Sequence, residues 1–431
     1  MDTNLLFIIL TATLAVLLVF GFHIAFAMSL TGILGIYLGF GGNLDPLRTV
    51  LWETINSSTL MVLVVFVLMG EFLLEGGVST QLYDAADIWF HKVPGGLLHT
   101  NIIATAIFSA ASGSSMACAA TFGKVAYTEG QKRGYDLRLN LGSLAAGACL
   151  DALIPPSTLL IFYGILTDQS IGKLYMAGII PGICMALLFM LYIFVYSLMN
   201  PHIMPREQIT YTWKERFLAL RNITPMLILI VICLGPIYLG LATPNEAGAI
   251  GAIGALILGI AYRSLTPGKV WQALLRTVRL NGMLIFLMFG ARLLIYMFAN
   301  KGITVQVVDW VTGLGLPFYA IFSFICLLYI VLGCFFDSFS ILFLTIPIIY
   351  PISSTLGIDP ILFGIVVTML LETGLITPPF GIVLFVIEGV TGGGHLGDII
   401  RGIVPFFFLI LIGIVMVMVF PSLALWLPSQ M

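Results

Sequence analysis

Two Ser/Gly-bearing stretches and two proline pairs carry the chemistry this chain can do. Ser112-Gly113-Ser114-Ser115 sets three hydroxyls around a glycine inside an apolar stretch, residues 102–122. Leu153-Ile154-Pro155-Pro156-Ser157 interrupts a second apolar run, residues 138–165. Two consecutive prolines withdraw two backbone donors, so the carbonyls of Asp151 and Ala152 lose their helical partners. Ile154, before the first proline, is pushed out of the α region as well. Hydroxyls beside freed carbonyls make a cage of neutral oxygens that suits a hard cation, and sodium fits it better than a transition metal. Ser112, Gly113, Ser115, Asp151 and Pro155 are therefore expected to form one ion site.

The interruption recurs. Ile376-Thr377-Pro378-Pro379-Phe380 lies inside another long apolar run, residues 360–390, with its prolines 223 positions after Pro155 and Pro156. Gly134-Tyr135-Asp136 and Gly357-Ile358-Asp359 stand at the same offset, and Gly178 and Pro181 match Gly402 and Pro405 one position further on. A second ion site is expected at Gly333, Thr373, Gly374 and Thr377, with Asp337 beside it, giving at least two sodium sites. Small residues and Ser/Thr also mark close helix packing, which explains Ser114 equally well when it is taken alone. The pairing of a tip with a break in both halves favours ion binding.

A charge inside the membrane is costly and defaults to function. Arg292, in Phe289-Gly290-Ala291-Arg292-Leu293-Leu294, is expected either to orient a carboxylate substrate or to pair with Asp337, Glu71 or Glu372. Ser114, Ser157 and Asp337 are the other candidates for substrate binding. Asp337 has a second reading as an ion ligand, while Asp151 and Glu388 are open to being simply paired or protonated. Each cation moving inward down 100 mV gains about 2.3 kcal/mol. Two sodium ions would balance a dianion, and a further ion would add electrical drive.

These residues need elements that hold them in a bilayer. The chain has 431 residues, 60% hydrophobic and 9% charged, which excludes a soluble domain and indicates an all-α polytopic membrane protein. The first apolar segment has neither a basic leader nor a small-residue cleavage site, so it is expected to be a retained helix rather than a signal peptide. A net charge of −2 gives no reason to expect a nucleic-acid partner. The six cysteines form no Cys-x-x-Cys pair, and neither His-Glu-x-x-His nor a nucleophile elbow occurs, so an enzyme is not expected.

Apolar runs at residues 5–19, 23–40 and 59–74 come first, with an amphipathic stretch at 44–57 suited to the interface. After a polar loop at residues 76–100, the stretch 102–122 fits a re-entrant hairpin with arms of about ten residues better than a crossing. The second half repeats the order. It has an amphipathic stretch at 266–280, a separate crossing at 283–298, a loop, and a hairpin at 319–351 with polar residues 333–340 at its tip. Lys and Arg concentrate in three loops, residues 123–138, 200–222 and 263–279. With Lys92 and Arg401 these hold 14 of the 18 Lys and Arg and mark the cytoplasmic side. Each half then has five crossings and one hairpin, an odd number that inverts the second half and leaves both termini outside. The expected domains are residues 1–200, a cytoplasmic linker 201–222, and residues 223–431. A twelve-helix bundle without hairpins is the alternative, and hydropathy alone does not separate the two. A duplicated broken helix points to a secondary transporter.

With these motifs in hand the chain resembles the large membrane subunit of TRAP (tripartite ATP-independent periplasmic) transporters, the DctM-like family. The resemblance covers nearly the full length. Its carriers include Gly76-Gly77-Val78-Ser79, Pro94-Gly95-Gly96, Ser112-Gly113-Ser114 and Lys132-Arg133-Gly134-Tyr135-Asp136. Ile154-Pro155-Pro156-Ser157, Ser170-Ile171-Gly172, Ala242-Thr243-Pro244-Asn245-Glu246-Ala247 and Leu375-Ile376-Thr377-Pro378-Pro379 complete the set. It implies sodium-coupled uptake of a small organic anion of the carboxylic acid class across the bacterial inner membrane. Two partners are implied besides the membrane lipid, a small DctQ-like membrane subunit and a DctP-like periplasmic binding protein. An elevator motion against a scaffold is also implied. Asn245 and Cys118 stand where the family more often has threonine. At Asn245 a helix-capping role survives the change, while Cys118 leaves the substrate class open. A one-component sodium–carboxylate symporter and a non-transporting membrane scaffold are the competing readings.

Overall fold

Several helices in this chain start where a side chain accepts the first free amides. Asp136 takes the Leu139 amide at 3.0 Å and opens Leu137–Ala148. At the repeat offset, Asp359 takes the amides of Ile361 and Leu362 at 2.8 and 3.2 Å and opens Pro360–Leu375. Ser114 and Asp337 do the same for Ser115–Arg133 and Ser338–Thr355, accepting from Ala117 and Ser340 at 3.3 and 3.1 Å. The repeat seen in the sequence is thus a repeat of helix starts.

The computed structural model describes residues 3–57, 59–201, 211–379 and 381–431. Arg206 and the middle of the linker, residues 202–210, lie outside the described residues, as does Phe380. All regular elements among the described residues are helical. The first half runs Thr3–Val19, Ile24–Gly39, Asp45–Ile55, Leu60–Glu75 and Val78–Phe90. A hairpin follows, Gly96–Ser112 and Ser115–Arg133, then a broken helix, Leu137–Ala148 and Thr158–Thr167, and then Ile171–Met199. The second half runs Trp213–Tyr238, Pro244–Ala261, Pro267–Asn300 and Ile303–Gly313. Its hairpin is Phe318–Gly333 and Ser338–Thr355, its broken helix Pro360–Leu375 and Ile382–Val390, and Leu396–Val419 follows. Among the described residues five helices are long and apolar enough to cross a membrane, or up to seven when two bent pairs each count as one span.

Several elements differ from expectation. The arms of the first hairpin have 17 and 19 residues, not about ten. Their outer turns are held by buried polar contacts that hydropathy does not register. Asn101 Nδ2 donates to the carbonyl and Oδ1 of Asn140 and to Ser143 Oγ at 3.1, 2.9 and 2.9 Å, while Tyr83 donates to Asn101 Oδ1 at 2.7 Å. The amphipathic stretch of the second half is not a separate arm, because Pro267–Asn300 continues through it as one 34-residue helix. The two supposed loops contain Val78–Phe90 and Ile303–Gly313, each entered from a left-handed glycine, Gly77 and Gly302. At the start of Pro244–Ala261 the cap is Thr243, closing a box with Glu246, and Asn245 is not the capping residue.

The two halves interlock through the hairpins and broken helices. Phe162 packs edge-on against Phe339 and Phe343, with ring centroids 5.7 and 4.9 Å apart. The Tyr163 hydroxyl donates to the Pro360 carbonyl at 2.6 Å. Leu137–Ala148 and Leu396–Val419 touch through their backbones, where a Cβ on Gly142 would stand 2.4 Å from the Gly402 carbonyl. Large apolar side chains such as Leu187, Ile253, Phe324 and Val415 point outward from the surrounding helices, the surface a lipid-embedded chain needs.

Candidate functional site

Both hairpin tips and both broken helices reach one cavity of about 280 Å³. The first tip lines it from Ser112 to Ala117, the first break contributes Asp151 and the following Thr158, and the second tip contributes Asp337 and Ser338. Glu372 and Leu375 come from the helix before the second break. The opposite wall is Leu60–Glu75, with Gly70 and Glu71, and Pro267–Asn300, with Leu280 and Leu284. A Cβ on Gly70 would lie 2.8 Å from the Ser112 carbonyl, so the wall and the first tip meet backbone to backbone.

Three helices begin at this cavity. Ser115–Arg133, Thr158–Thr167 and Ser338–Thr355 each present a hydroxyl residue as their first residue, and all three first residues line it. Helix N-termini carry partial positive charge and free amides, and so favour an anion. The formal charges around them are negative. Glu71, Asp151, Asp337 and Glu372 line the cavity, and no Lys, Arg or His does so among the described residues. Glu71 lies 3.5 Å from the Arg276 guanidinium, which also holds Glu75 at 2.7 Å. Asp337 accepts from the Ser340 amide and hydroxyl.

The first tip and first break are joined. Thr158 donates to the Gly113 carbonyl at 3.1 Å, and Ser115 Oγ lies 3.3 Å from Asp151 Oδ2 and 3.1 Å from Glu372 Oε2. Asp151 does not begin an unwound stretch. A 3-10 turn, Cys149–Ala152, tightens the chain there, and the Leu150 carbonyl accepts from Leu153 and Ile154 at 3.2 and 3.0 Å. The second tip meets the second break differently. Gly333 and Gly374 stack so closely that a Cβ on either would stand 2.3 to 2.5 Å from the other's Cα. Thr373 and Thr377 spend their hydroxyls on the carbonyls of Met369 and Thr373, at 2.7 and 2.6 Å.

Of the residues singled out in the sequence, Ser112, Gly113, Ser114, Ser115, Asp151 and Asp337 line the cavity. Pro155, Gly333, Thr373, Gly374 and Thr377 do not line it. Ser157 caps Thr158–Thr167, accepting from Leu160 at 3.4 Å, and does not line the cavity either. Arg292 is elsewhere. Its Nη1 donates to the Glu53 carbonyl at 3.2 Å, because Pro267–Asn300 turns that face toward Asp45–Ile55 and away from the tips. Cys118 faces the other arm of its hairpin, donating to the Thr105 carbonyl at 3.6 Å. Glu388 accepts from the Gly394 and His395 amides, a turn contact. Sequence reasoning misses Thr158 and Ser338, and considers Glu372 only as a partner for Arg292 and not as part of the cavity wall. Glu372 is an acid in mid-run between Leu371 and Thr373, and the rule applied to Arg292 would have found it.

Paired hairpins and broken helices meeting at one acid-lined cavity, in two halves of matching element order, define a multi-pass membrane transport protein. The family model described as "Tripartite ATP-independent periplasmic transporter, DctM component" matches residues 11–423, and the chain belongs to that family as a TRAP transporter subunit. The C4-dicarboxylate TRAP transporter large permease protein DctM of Pseudomonas aeruginosa is 34% identical over 405 residues, 94% of each chain. The sialic acid TRAP transporter large permease protein SiaM of Vibrio cholerae is 32% identical over 87% of each chain. Among solved structures, the Alcanivorax borkumensis YdaH transporter shares the fold, with a TM-score of 0.59 over 90% of each chain at 18% identity.

Proposed function

We propose that this subunit imports a small organic anion of the carboxylic acid class with sodium, across the bacterial inner membrane. The observation that carries this reading is the convergence of three helix N-termini on a cavity whose formal charges are acidic. The helix starts favour an anion, and the carboxyl groups require cations to enter with it. The named relatives, permeases for a C4-dicarboxylate and for sialic acid, support the acid class. The sodium cages are the first tip with the first break and the second tip with the second break. The two halves are an inverted repeat, both hairpins are re-entrant, and both termini are periplasmic. The hairpins and broken helices move as an elevator against the outer helices. Substrate is delivered by a periplasmic binding protein, and a small membrane subunit braces the scaffold.

Proteoliposomes holding this chain with a small membrane subunit and a periplasmic binding protein test the reading against a panel of labelled carboxylates. Uptake should require an inward sodium gradient and all three proteins. Uptake indifferent to sodium would refute the coupling, and uptake by the chain alone would make it a one-component symporter. Ser115→Ala and Thr377→Ala should each weaken sodium activation without loss of membrane insertion.

A further inference from the structure

The stretch Trp213-Lys214-Glu215-Arg216-Phe217-Leu218-Ala219-Leu220-Arg221 mixes bulky apolar residues with bases. Thr212 accepts from the Glu215 amide and Glu215 from the Thr212 amide, so a capping box fixes where this helix starts. Pro225, four residues beyond Arg221, has no amide to give the Arg221 carbonyl. Trp213–Arg221 meets Ile223–Tyr238 at a bend of 48° and so leaves the axis of the apolar span that follows. At about 3.6 residues per turn, Trp213, Lys214, Phe217, Leu218 and Arg221 share one side of the segment, and all five are exposed. Trp213, Phe217 and Leu218 are 67, 62 and 54% exposed. The other side is fastened to Val78–Phe90. Trp89 Nε1 donates to the Arg216 carbonyl at 3.2 Å, and its ring packs edge-on against Phe217 at 6.3 Å between centroids.

The bases of this segment have no acid to meet. Lys214, Arg216 and Arg221 take part in none of the ion pairs among the described residues. Glu215, the one acid in the stretch, spends its carboxylate on the cap. The Arg216 guanidinium lies over the Trp213 ring, 5.1 Å from its centroid, and its buried Nε has no hydrogen-bond partner. Lipid tails would suit the rings and not the cations, and bulk water would do the reverse. The membrane–water interface suits both, since aromatic rings settle at the headgroup level and bases reach anionic headgroups. Further along the same helix Ile228, Val231 and Ile232 are exposed, an apolar surface for the tails of the same lipids. A second protein seated here would have to bury the cations, at a cost that only acids of its own would offset.

We propose that Trp213–Arg221 is a docking surface for anionic phospholipid. Lys214, Arg216 and Arg221 take the headgroup phosphates, and Trp213 and Phe217 seat themselves beside the upper ends of the acyl chains. The entry to the second half is thereby pinned to the bilayer surface. Through Trp89 the same anchor holds the helix that leads into the first hairpin.

Quenching by brominated lipid tests this on the full chain, reconstituted in phosphatidylcholine vesicles that hold a small fraction of phosphatidylglycerol. The Trp213 signal is the difference in emission between the natural chain and Trp213→Phe. With bromine carried by phosphatidylglycerol, that signal should report a local fraction at least about fivefold above the bulk, the enrichment that one base confers. With the same fraction of brominated phosphatidylcholine it should report the bulk value. Lys214→Gln/Arg221→Gln, both at exposed positions, should abolish most of the preference, and Arg279→Gln, an exposed base elsewhere, should leave it unchanged. Equal quenching by the two lipids, or a preference that survives loss of both bases, would overturn the proposal. So would quenching that vanishes when the small membrane subunit is added, since the surface would then belong to that partner. If Trp213→Phe does not fold, native mass spectrometry decides: Lys214→Gln/Arg221→Gln should retain fewer phosphatidylglycerol molecules than the natural chain, and equal retention would refute the surface. No uptake is measured, so the outcome stands apart from the transport reading.

Discussion

Pro155 and Pro156 are buried, whereas Pro378 and Pro379, at the matching positions of the repeat, are exposed. The first break is sealed by its own hairpin, whose Gly113 comes against the Pro156 carbonyl. The second break is held from behind by the Gly333–Gly374 contact and is open in front. Non-helical backbone at membrane depth is tolerated only against protein or water. The second break is therefore the one this chain leaves without its own cover. The chemistry differs as much as the exposure. At the repeat offset Asp151 becomes Gly374, Cys149 becomes Glu372, and Ser114 becomes Asp337. One backbone device is used twice, and each acid of the buried pair is supplied by only one half.

The largest effect is expected where the second half has no room at all. Gly374→Ala drives a Cβ into the Gly333 backbone and should cost about 3 kcal/mol, measured as a lowered unfolding midpoint in detergent. Gly113→Ala meets the Pro156 carbonyl only at 3.0 Å, at a φ of +60°, and should cost about 1–2 kcal/mol. Equal losses would erase the distinction between a stacked and a sealed break. Next comes exposure itself. Pro378→Cys should react with a membrane-impermeant thiol reagent, while Pro156→Cys stays protected; labelling at both or at neither contradicts the asymmetry. Ser115 bridges two acids, whereas Ser338, its counterpart, donates to the Leu371 carbonyl at 3.3 Å. Hydrogen bonds to charged groups are the stronger ones, so Ser115→Ala should lower uptake about tenfold or more and Ser338→Ala no more than about fivefold. The smallest effect is expected at Arg292, which serves the Glu53 carbonyl. Arg292→Ala should keep at least about half of normal uptake, and abolished uptake would bring that guanidinium back to the substrate.

Much of this arrangement can be read from the chain itself. Consecutive prolines and a Ser/Gly tip act on their own backbone, so the broken helices and hairpins follow from local residue types, and the fixed offset pairs them. What lies between elements is less legible. Arg292 stands out as an isolated cation, yet its direction depends on how a 34-residue helix rotates against its neighbours, which no local pattern records. The continuity of that helix was hidden by its change from amphipathic to apolar character. The outer turns of the first hairpin were hidden because Asn101, Asn140 and Ser143 satisfy one another in the interior. Glu372 is a different case, since its position within an apolar run was visible and only its partners were not.

Cys149 and Glu372 touch, and they occupy the same place in their respective halves. A residue that meets its own counterpart sits on the axis about which two copies are related. In a dimer of identical halves a glutamate there would confront another glutamate, and a single anion-bearing side chain could never stand alone. Because the two halves differ at this position, the spot holds an acid from one and a thiol from the other, an arrangement two identical halves could not give.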